Sequence, residues 1–119
     1  MGATDTQSVE AAEVADELLG ACAALRHELV LYERELRRMR NRVLKGMPNP
    51  EPHVVPELVE ARVRMNTRFE EMERCRRQWR VAYFGLQTAS GMSLGAIARE
   101  WGLSRQLVSR LMGSETATT

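Results

Sequence analysis

Two long stretches of the chain place apolar residues at the spacing of a coiled-coil seam. The first runs from Ala11 to Val43 and the second from Leu58 to Leu86, and in both the apolar positions recur at alternating steps of four and three residues. This spacing keeps one stripe of a helix facing a neighbouring helix, so it predicts two long helices. The predicted seam residues are Leu18, Leu25, Leu29, Tyr32, Leu36, Met65, Phe69, Met72 and Trp79.

The segment Gly46–Pro56 separates the two stretches and holds all four prolines of the chain. Each proline removes a backbone hydrogen-bond donor, so this segment predicts a turn or a stiff linker. Ser8 is placed to cap the first helix, and Gly46 is placed to end it. Residues 1–8 then form a flexible N-terminal tail.

The two helices are predicted to fold back on each other within one chain, with Tyr32 opposite Phe69. In this antiparallel arrangement the acidic start of the first helix lies beside the basic end of the second. Arg62 and Arg76 fall at seam positions, and their charged heads are expected to reach the edge along their apolar stems. The same heptads also fit pairing between chains, as a parallel dimer or as a four-helix bundle of two hairpins, and these alternatives stay open.

The composition agrees with an all-α protein. The chain has 119 residues, of which 44% are hydrophobic and only 5% aromatic, and helix-forming residues dominate. Its net charge of +1 hides a gradient: residues 1–33 hold seven acids against Arg26, and residues 34–45 hold six basic residues against Glu35. The basic stretch is either a solvated helix face or a surface for DNA phosphates or an acidic partner.

Several classes of function find no support in the sequence. Cys22 and Cys75 are too few for a disulfide framework, and His27 and His53 have no partners at metal-ligand spacing. No pair of carboxylates stands apart for acid–base chemistry, and no Gly-rich phosphate loop is present. We therefore expect no enzyme activity, no catalytic residue, no metal and no cofactor. The chain has no run of the signal-peptide or membrane-spanning type, which favours the cytoplasm, with no membrane partner.

The C-terminal stretch SLGAIAREWGLSRQLVSRLM, from Ser93 to Met112, predicts two short helices joined by a tight turn. Ala98 is small where two helices would approach closely, Gly102 can adopt the left-handed turn, and Ser104 can cap the second helix. A third helix, Gln78–Ala89, is expected to complete the core through Trp79, Ala82, Tyr83 and Leu86. The predicted core of the motif is Ile97, Ala98, Trp101, Gly102, Leu103, Val108 and Leu111.

This stretch resembles the helix-turn-helix of bacterial and phage DNA-binding proteins: Cro-type repressors, resolvase C-terminal domains and sigma-factor region four. The resemblance covers about 20 residues, roughly a sixth of the chain. It implies that exposed residues near the start of the second helix face base edges, and these are Arg105, Gln106, Ser109 and Arg110. It also suggests phosphate contacts, and the candidates are Ser93, Arg99 and Ser104.

The expected architecture is thus a coiled-coil hairpin (residues 9–78) that leads into a tri-helical helix-turn-helix unit (residues 79–113), followed by a flexible tail (residues 114–119). The expected function is sequence-specific binding of double-stranded DNA by a homodimer, as a small transcriptional regulator or a phage or plasmid accessory factor associated with the nucleoid. The alternative is a coiled-coil adaptor in a larger nucleoprotein complex for transcription, recombination or DNA packaging.

Overall fold

The computed structural model describes residues 4–46 and 54–118 and shows an all-helical chain. It contains α1 (Asp5–Leu44), α2 (Val54–Ala89), α3 (Leu94–Trp101) and α4 (Arg105–Thr118), and the described residues include no strand. The predicted all-α class is therefore confirmed. The middle of the predicted Pro-rich turn, including His53, lies outside the described residues, as do the ends of both predicted tails.

The helices extend further than the sequence predicted. The amide of Gln7 donates to Thr4 Oγ1 at 3.1 Å, and the amide of Thr4 donates to Gln7 Oε1 at 2.9 Å. This reciprocal capping box starts α1 at Asp5, so Ser8 lies inside the helix and is not its cap. The predicted tail at residues 1–8 is therefore helical from Asp5, and the predicted tail at residues 114–119 is helical as far as Thr118.

The chain divides into two compact units, and both long helices contribute to each of them. The first unit comprises Met1–Leu18 and Cys75–Thr119, and the second comprises Leu19–Arg74. The predicted boundary between residues 78 and 79 lies close to the observed division of α2. However, the first turns of α1 belong with the C-terminal helices, which the division into residues 9–78 and 79–113 did not anticipate.

The second unit uses a different helix face from the one predicted. Ala21 of α1 is 6% exposed and lies inward, whereas Leu29 and Leu36 are 39% and 42% exposed. Glu28 and Glu35 are turned inward instead, with side chains only 12% and 16% exposed. Leu29 and Leu36 therefore do not face α2 within the chain, as the hairpin predicted, and the alternative pairing between chains stays a prediction. Phe69 of α2, which is 49% exposed, likewise lies outside the contact between the two helices of one chain.

Six of the nine predicted seam residues keep an inward position in the observed arrangement. On each long helix, the predicted seam residues that lie inward are seven residues apart. Between them, the inward position is one residue before the predicted one. The predicted seam residues that are half-buried are Leu18, Leu25, Tyr32, Met65, Met72 and Trp79. On α2 the displacement buries Ala61 and Cys75 and leaves Arg62 and Arg76 exposed, so no arginine stem has to cross the seam.

Ion pairs fix the direction and register of the helices in the second unit. Arg64 Nε lies 3.3 Å from Glu28 Oε2, and Arg38 Nη1 lies 2.6 Å from Glu57 Oε2. The later residue of α1 pairs with the earlier residue of α2, so the two segments run antiparallel. If Tyr32 lay opposite Phe69, Arg64 and Glu57 would lie opposite later residues of α1 than their observed partners. The observed register therefore differs from the predicted one by at least one helical turn.

Arg38 is the centre of this network. Its guanidinium also lies 3.0 Å from Glu35 Oε2. The hydrogen bond to Glu57 and the negative charge of Glu35 hold the pKa of Arg38 above its usual value. The network explains why Glu35 is tolerated on the inner face, because its carboxylate has a cationic partner there.

Candidate nucleic-acid interface

The first unit places a short, well-capped helix directly after the long helix α2. Gly91, at φ 96, ends α2 in the left-handed region, and the amide of Met92 donates back to the Gln87 carbonyl at 3.0 Å. Ser93 then caps α3, and its Oγ accepts a hydrogen bond from the Ala96 amide at 3.1 Å. The chain thus makes its turn in very few residues, at the place where the sequence predicted the connection.

The turn between α3 and α4 is closed by a left-handed glycine. Gly102 has φ 68 and ψ 31, and its amide donates to the Arg99 carbonyl at 3.3 Å. The amide of Leu103 donates to the Ala98 carbonyl at 2.9 Å, which completes the paired hydrogen bonds of a Schellman motif. Ser104 caps α4, with its Oγ accepting from the Leu107 amide at 3.0 Å. Ser104 is thus the cap that the sequence predicted for the second helix.

The helices around this turn enclose the largest fully buried side chains of the described structure: Phe84, Ile97 and Val108. Ala98 is buried with them, and the residues packed against this cluster include Trp101, Leu103 and Leu111. Six of the seven predicted core residues of the motif therefore share one apolar cluster, and the seventh, Gly102, lies exposed at the turn. Burial of these residues fixes α4 against α3.

Phe84 is the contribution of α2 that sequence reasoning missed. Its ring meets the indole of Trp101 edge to face, with ring centroids 5.2 Å apart. The predicted neighbours Ala82, Tyr83 and Leu86 are only half-buried. A clue was present in the sequence, since two aromatic residues are adjacent there and only one of them can point into a core next to a helix.

Gln87 is a second missed residue, and it is buried at 7% exposure. Its Oε1 accepts a hydrogen bond from the Trp101 indole at 3.1 Å, and its Nε2 donates to Glu100 Oε2 at 3.0 Å. These bonds tie the end of α3 to α2 and satisfy the indole N–H. They also engage the only carboxylate of the stretch from Ser93 to Met112.

The residues predicted to contact bases are exposed together on the outer side of α4. They are Arg105, Gln106, Ser109 and Arg110. Within a helix, side chains three or four positions apart are neighbours on the surface; Ser109 is such a neighbour of Arg105 and Gln106, and Arg110 of Gln106, so the four form one polar patch at the start of α4. No carboxylate among the described residues forms an ion pair with Arg105 or Arg110.

The predicted phosphate contacts lie at the two helix starts and on α3. Ser93, Arg99 and Ser104 are all exposed. Both serine hydroxyls accept backbone amides as caps, and each keeps its own hydrogen to donate outward. Arg99 forms no ion pair with a described carboxylate. Arg99, Arg105 and Arg110 are thus three exposed cations of the segment formed by α3 and α4.

Two further observations concern the rest of the described chain. None of the described helices is long and apolar enough to cross a membrane. Within residues 4–46 and 54–118, no three His, Cys, Asp or Glu side chains are grouped so that they could hold a metal ion.

Comparison of the chain with models of protein families, with curated proteins and with solved structures finds no match.

Proposed function

We propose that this chain binds double-stranded DNA in a sequence-specific manner. In this proposal the start of α4, within residues 104–112, enters the major groove. The observation that supports it best is the α3–α4 geometry: two capped helices joined through Gly102, with Arg105, Gln106 and Ser109 exposed on the first turns of the second helix. This is the arrangement that a recognition helix requires.

The exposed side chains match the donors and acceptors of base edges. Arg105 and Arg110 can each donate two hydrogen bonds to O6 and N7 of guanine, and the carboxamide of Gln106 can bond N6 and N7 of adenine. Ser109 can donate or accept. The Ser93 and Ser104 hydroxyls at the helix starts and the Arg99 guanidinium suit phosphate oxygens, which position a protein without reading sequence.

One such motif reads only a few base pairs, so we propose that the chain acts as a homodimer on two half-sites. The spacing of the half-sites would be about one helical turn of DNA or a multiple of it. The biological role would be that of a small transcriptional regulator or a phage or plasmid accessory factor, cytoplasmic and associated with the nucleoid, with no need of a cofactor.

The experiment that tests this function is selection from a randomised duplex library at physiological salt. The variant Arg105→Ala, Gln106→Ala removes one guanidinium and one carboxamide from the outer side of α4. The control Asn66→Ala, Arg68→Ala removes the same two groups from exposed positions on α2, outside the basic stretch. We expect the wild type and the control to enrich the same sequence, and the α4 variant to keep only weak, salt-dependent binding. If the wild type enriches no sequence, the proposed function is wrong.

A second candidate function is a coiled-coil adaptor for a polymerase, recombination or DNA-packaging complex. The observation that favours it is the set of large apolar side chains that the second unit leaves exposed, among them Leu29, Leu36 and Phe69. Salt-insensitive capture of one protein partner, together with no specific DNA affinity, would favour the adaptor over the DNA-binding protein.

A further inference from the structure

The second unit carries an exposed apolar stripe along α1. Leu29, Leu36 and Val43 follow one another at intervals of seven residues and are 39%, 42% and 72% exposed. Residues at this spacing lie on one side of a helix. The stripe therefore has the pattern of a helix-packing surface, although the partner helix α2 meets a different face of α1.

Apolar residues of α2 lie on the same flank of the helix pair. The ion pair between Arg38 and Glu57 marks one flank. On α1, Leu36 and Arg38 lie on opposite sides of the inner face. On α2, Phe69 and Val55 lie on the side opposite Glu57. Because the two segments are antiparallel, these two sides meet. The flank opposite the ion pair thus combines the stripe with Val55 and Phe69, which are 46% and 49% exposed.

Exposure of this apolar surface to water is unfavourable for a helix pair on its own. Its five large side chains present roughly 400 Å² of apolar surface, comparable with the largest patches of ordinary monomers, which often mark binding sites. Beneath it the second unit buries little, since its buried apolar residues among those described are Ala21 and Ala61. A second layer of helices would supply the core that this unit lacks.

The charges around the stripe favour a second copy in antiparallel orientation. The end of the unit near residues 34–44 holds five arginines against Glu35 on α1, while Glu57 and Glu60 on the adjoining start of α2 are offset by Arg62 and Arg64. Parallel packing would bring two such ends together, which is unfavourable. Antiparallel packing brings each of them near the other end of the second copy, which on α2 carries Glu70, Glu71 and Glu73 against Arg68 and Arg74.

We infer that the flank formed by Leu29, Leu36, Val43, Val55 and Phe69 is the self-association surface of this protein. Two copies pack through it as an antiparallel four-helix bundle. This inference rests on the homodimer of the proposed function, and it supplies the surface and the orientation. It is tested without DNA, so that its failure is separable from a failure of DNA recognition.

The first test is the mass in solution at micromolar concentration. One chain has a mass of 13.5 kDa, and we expect wild type at twice that value. The variant Leu36→Glu, Phe69→Glu places one charge on each helix of the flank and is expected to weaken association by at least about tenfold. The control Val30→Glu, Val63→Glu adds the same charges at exposed positions, 51% and 52%, on the outer sides of the same helices.

The control is expected to keep the wild-type mass, and circular dichroism establishes that all three proteins are equally helical. A wild type with the mass of a single chain overturns the inference, and so does a control that dissociates while the flank variant does not. A monomer that still selects one DNA sequence would overturn the self-association surface but support DNA recognition. A dimer that selects no sequence would support the self-association surface but overturn DNA recognition.

Cross-linking tests the orientation. In a chain with Cys22→Ser and Cys75→Ala, the variants Leu29→Cys and Val43→Cys each carry one thiol. In the antiparallel bundle these two positions face each other across copies, so we expect disulfide-linked dimers mainly when the two variants are mixed. In a parallel bundle α1 would pack on α2 of the second copy, so a mixture that links no better than either variant alone would overturn the antiparallel orientation.

Discussion

The turn between α3 and α4 depends on the backbone freedom of Gly102, which makes the substitution Gly102→Ala a direct test of the motif. The φ of this residue is 68, in the left-handed region, where an alanine costs about 1–2 kcal/mol. A Cβ placed there would meet no atom within 4 Å, so the whole cost comes from the backbone and not from a clash. Alanine also restricts the unfolded chain, which offsets about 0.4–1 kcal/mol. The expected net loss is about 1 kcal/mol.

Gly95→Ala is the matched control, because it adds the same methyl group to the same motif. Gly95 lies inside α3, and the nearest atom to its added Cβ is Arg99 Nη1 at 3.6 Å, an ordinary contact with a flexible side chain. Alanine at this position favours the helix by about 0.5–1 kcal/mol. Urea unfolding followed by tryptophan fluorescence reports on this unit, which contains Trp79 and Trp101.

The two substitutions are thus expected to shift the unfolding midpoint in opposite directions. Equal or greater stability of the Gly102→Ala protein would show that the backbone is not held in the left-handed region and would refute the turn geometry. A loss of stability in both proteins would mean that the control also perturbs the motif, and that α3 packs more tightly around Gly95 than the 3.6 Å contact with Arg99 indicates.

Two further substitutions test the contacts that hold the motif, and both are measured by the same unfolding assay. Gln87→Leu leaves the Trp101 indole N–H without its acceptor and is expected to cost about 1–3 kcal/mol; unchanged stability would mean that the buried hydrogen bond contributes nothing. Ser104→Ala removes the cap of the Leu107 amide and is expected to cost about 1 kcal/mol, whereas Ser109→Ala, further along the exposed side of α4, should stay within about 0.5 kcal/mol. Equal losses in the two serine variants would argue against the cap.

The caps and turns of the C-terminal motif could be predicted because they depend on neighbouring residues. Ser104 needs only an amide three residues away, and Gly102 needs only its own lack of a Cβ. The same local logic overlooked Thr4 and Gln7, which form the capping box of α1. That pattern was visible in the sequence, but the apolar period begins only at Ala11, and the start of the helix was placed too close to it.

The inner face of the long helices could not be predicted in the same way, because two adjacent stripes fit the heptad spacing. Hydrophobicity favours Leu29 and Leu36 over Glu28 as inner residues. The structure turns Glu28 inward because its carboxylate has a cationic partner on α2, Arg64. Such a pairing between residues far apart in sequence depends on the register, which no local pattern specifies. Phe84 was missed for a related reason, since the phase of α2 is set by the partners it packs against.

The difference between the predicted and observed inner faces of the long helices also accounts for the exposed flank. The inner face buries the small residues Ala21 and Ala61, and the larger Leu29, Leu36 and Phe69 are left on the flank. An alanine contact removes much less apolar surface from water than a leucine contact does. If Leu29 and Leu36 instead faced α2, the helix pair would have an adequate core of its own and would need no second copy. The oligomeric state therefore distinguishes the two possible inner faces. A stable monomer would favour an inner face that contains the leucines, whereas a dimer that Leu36→Glu dissociates would favour the inner face that contains the alanines.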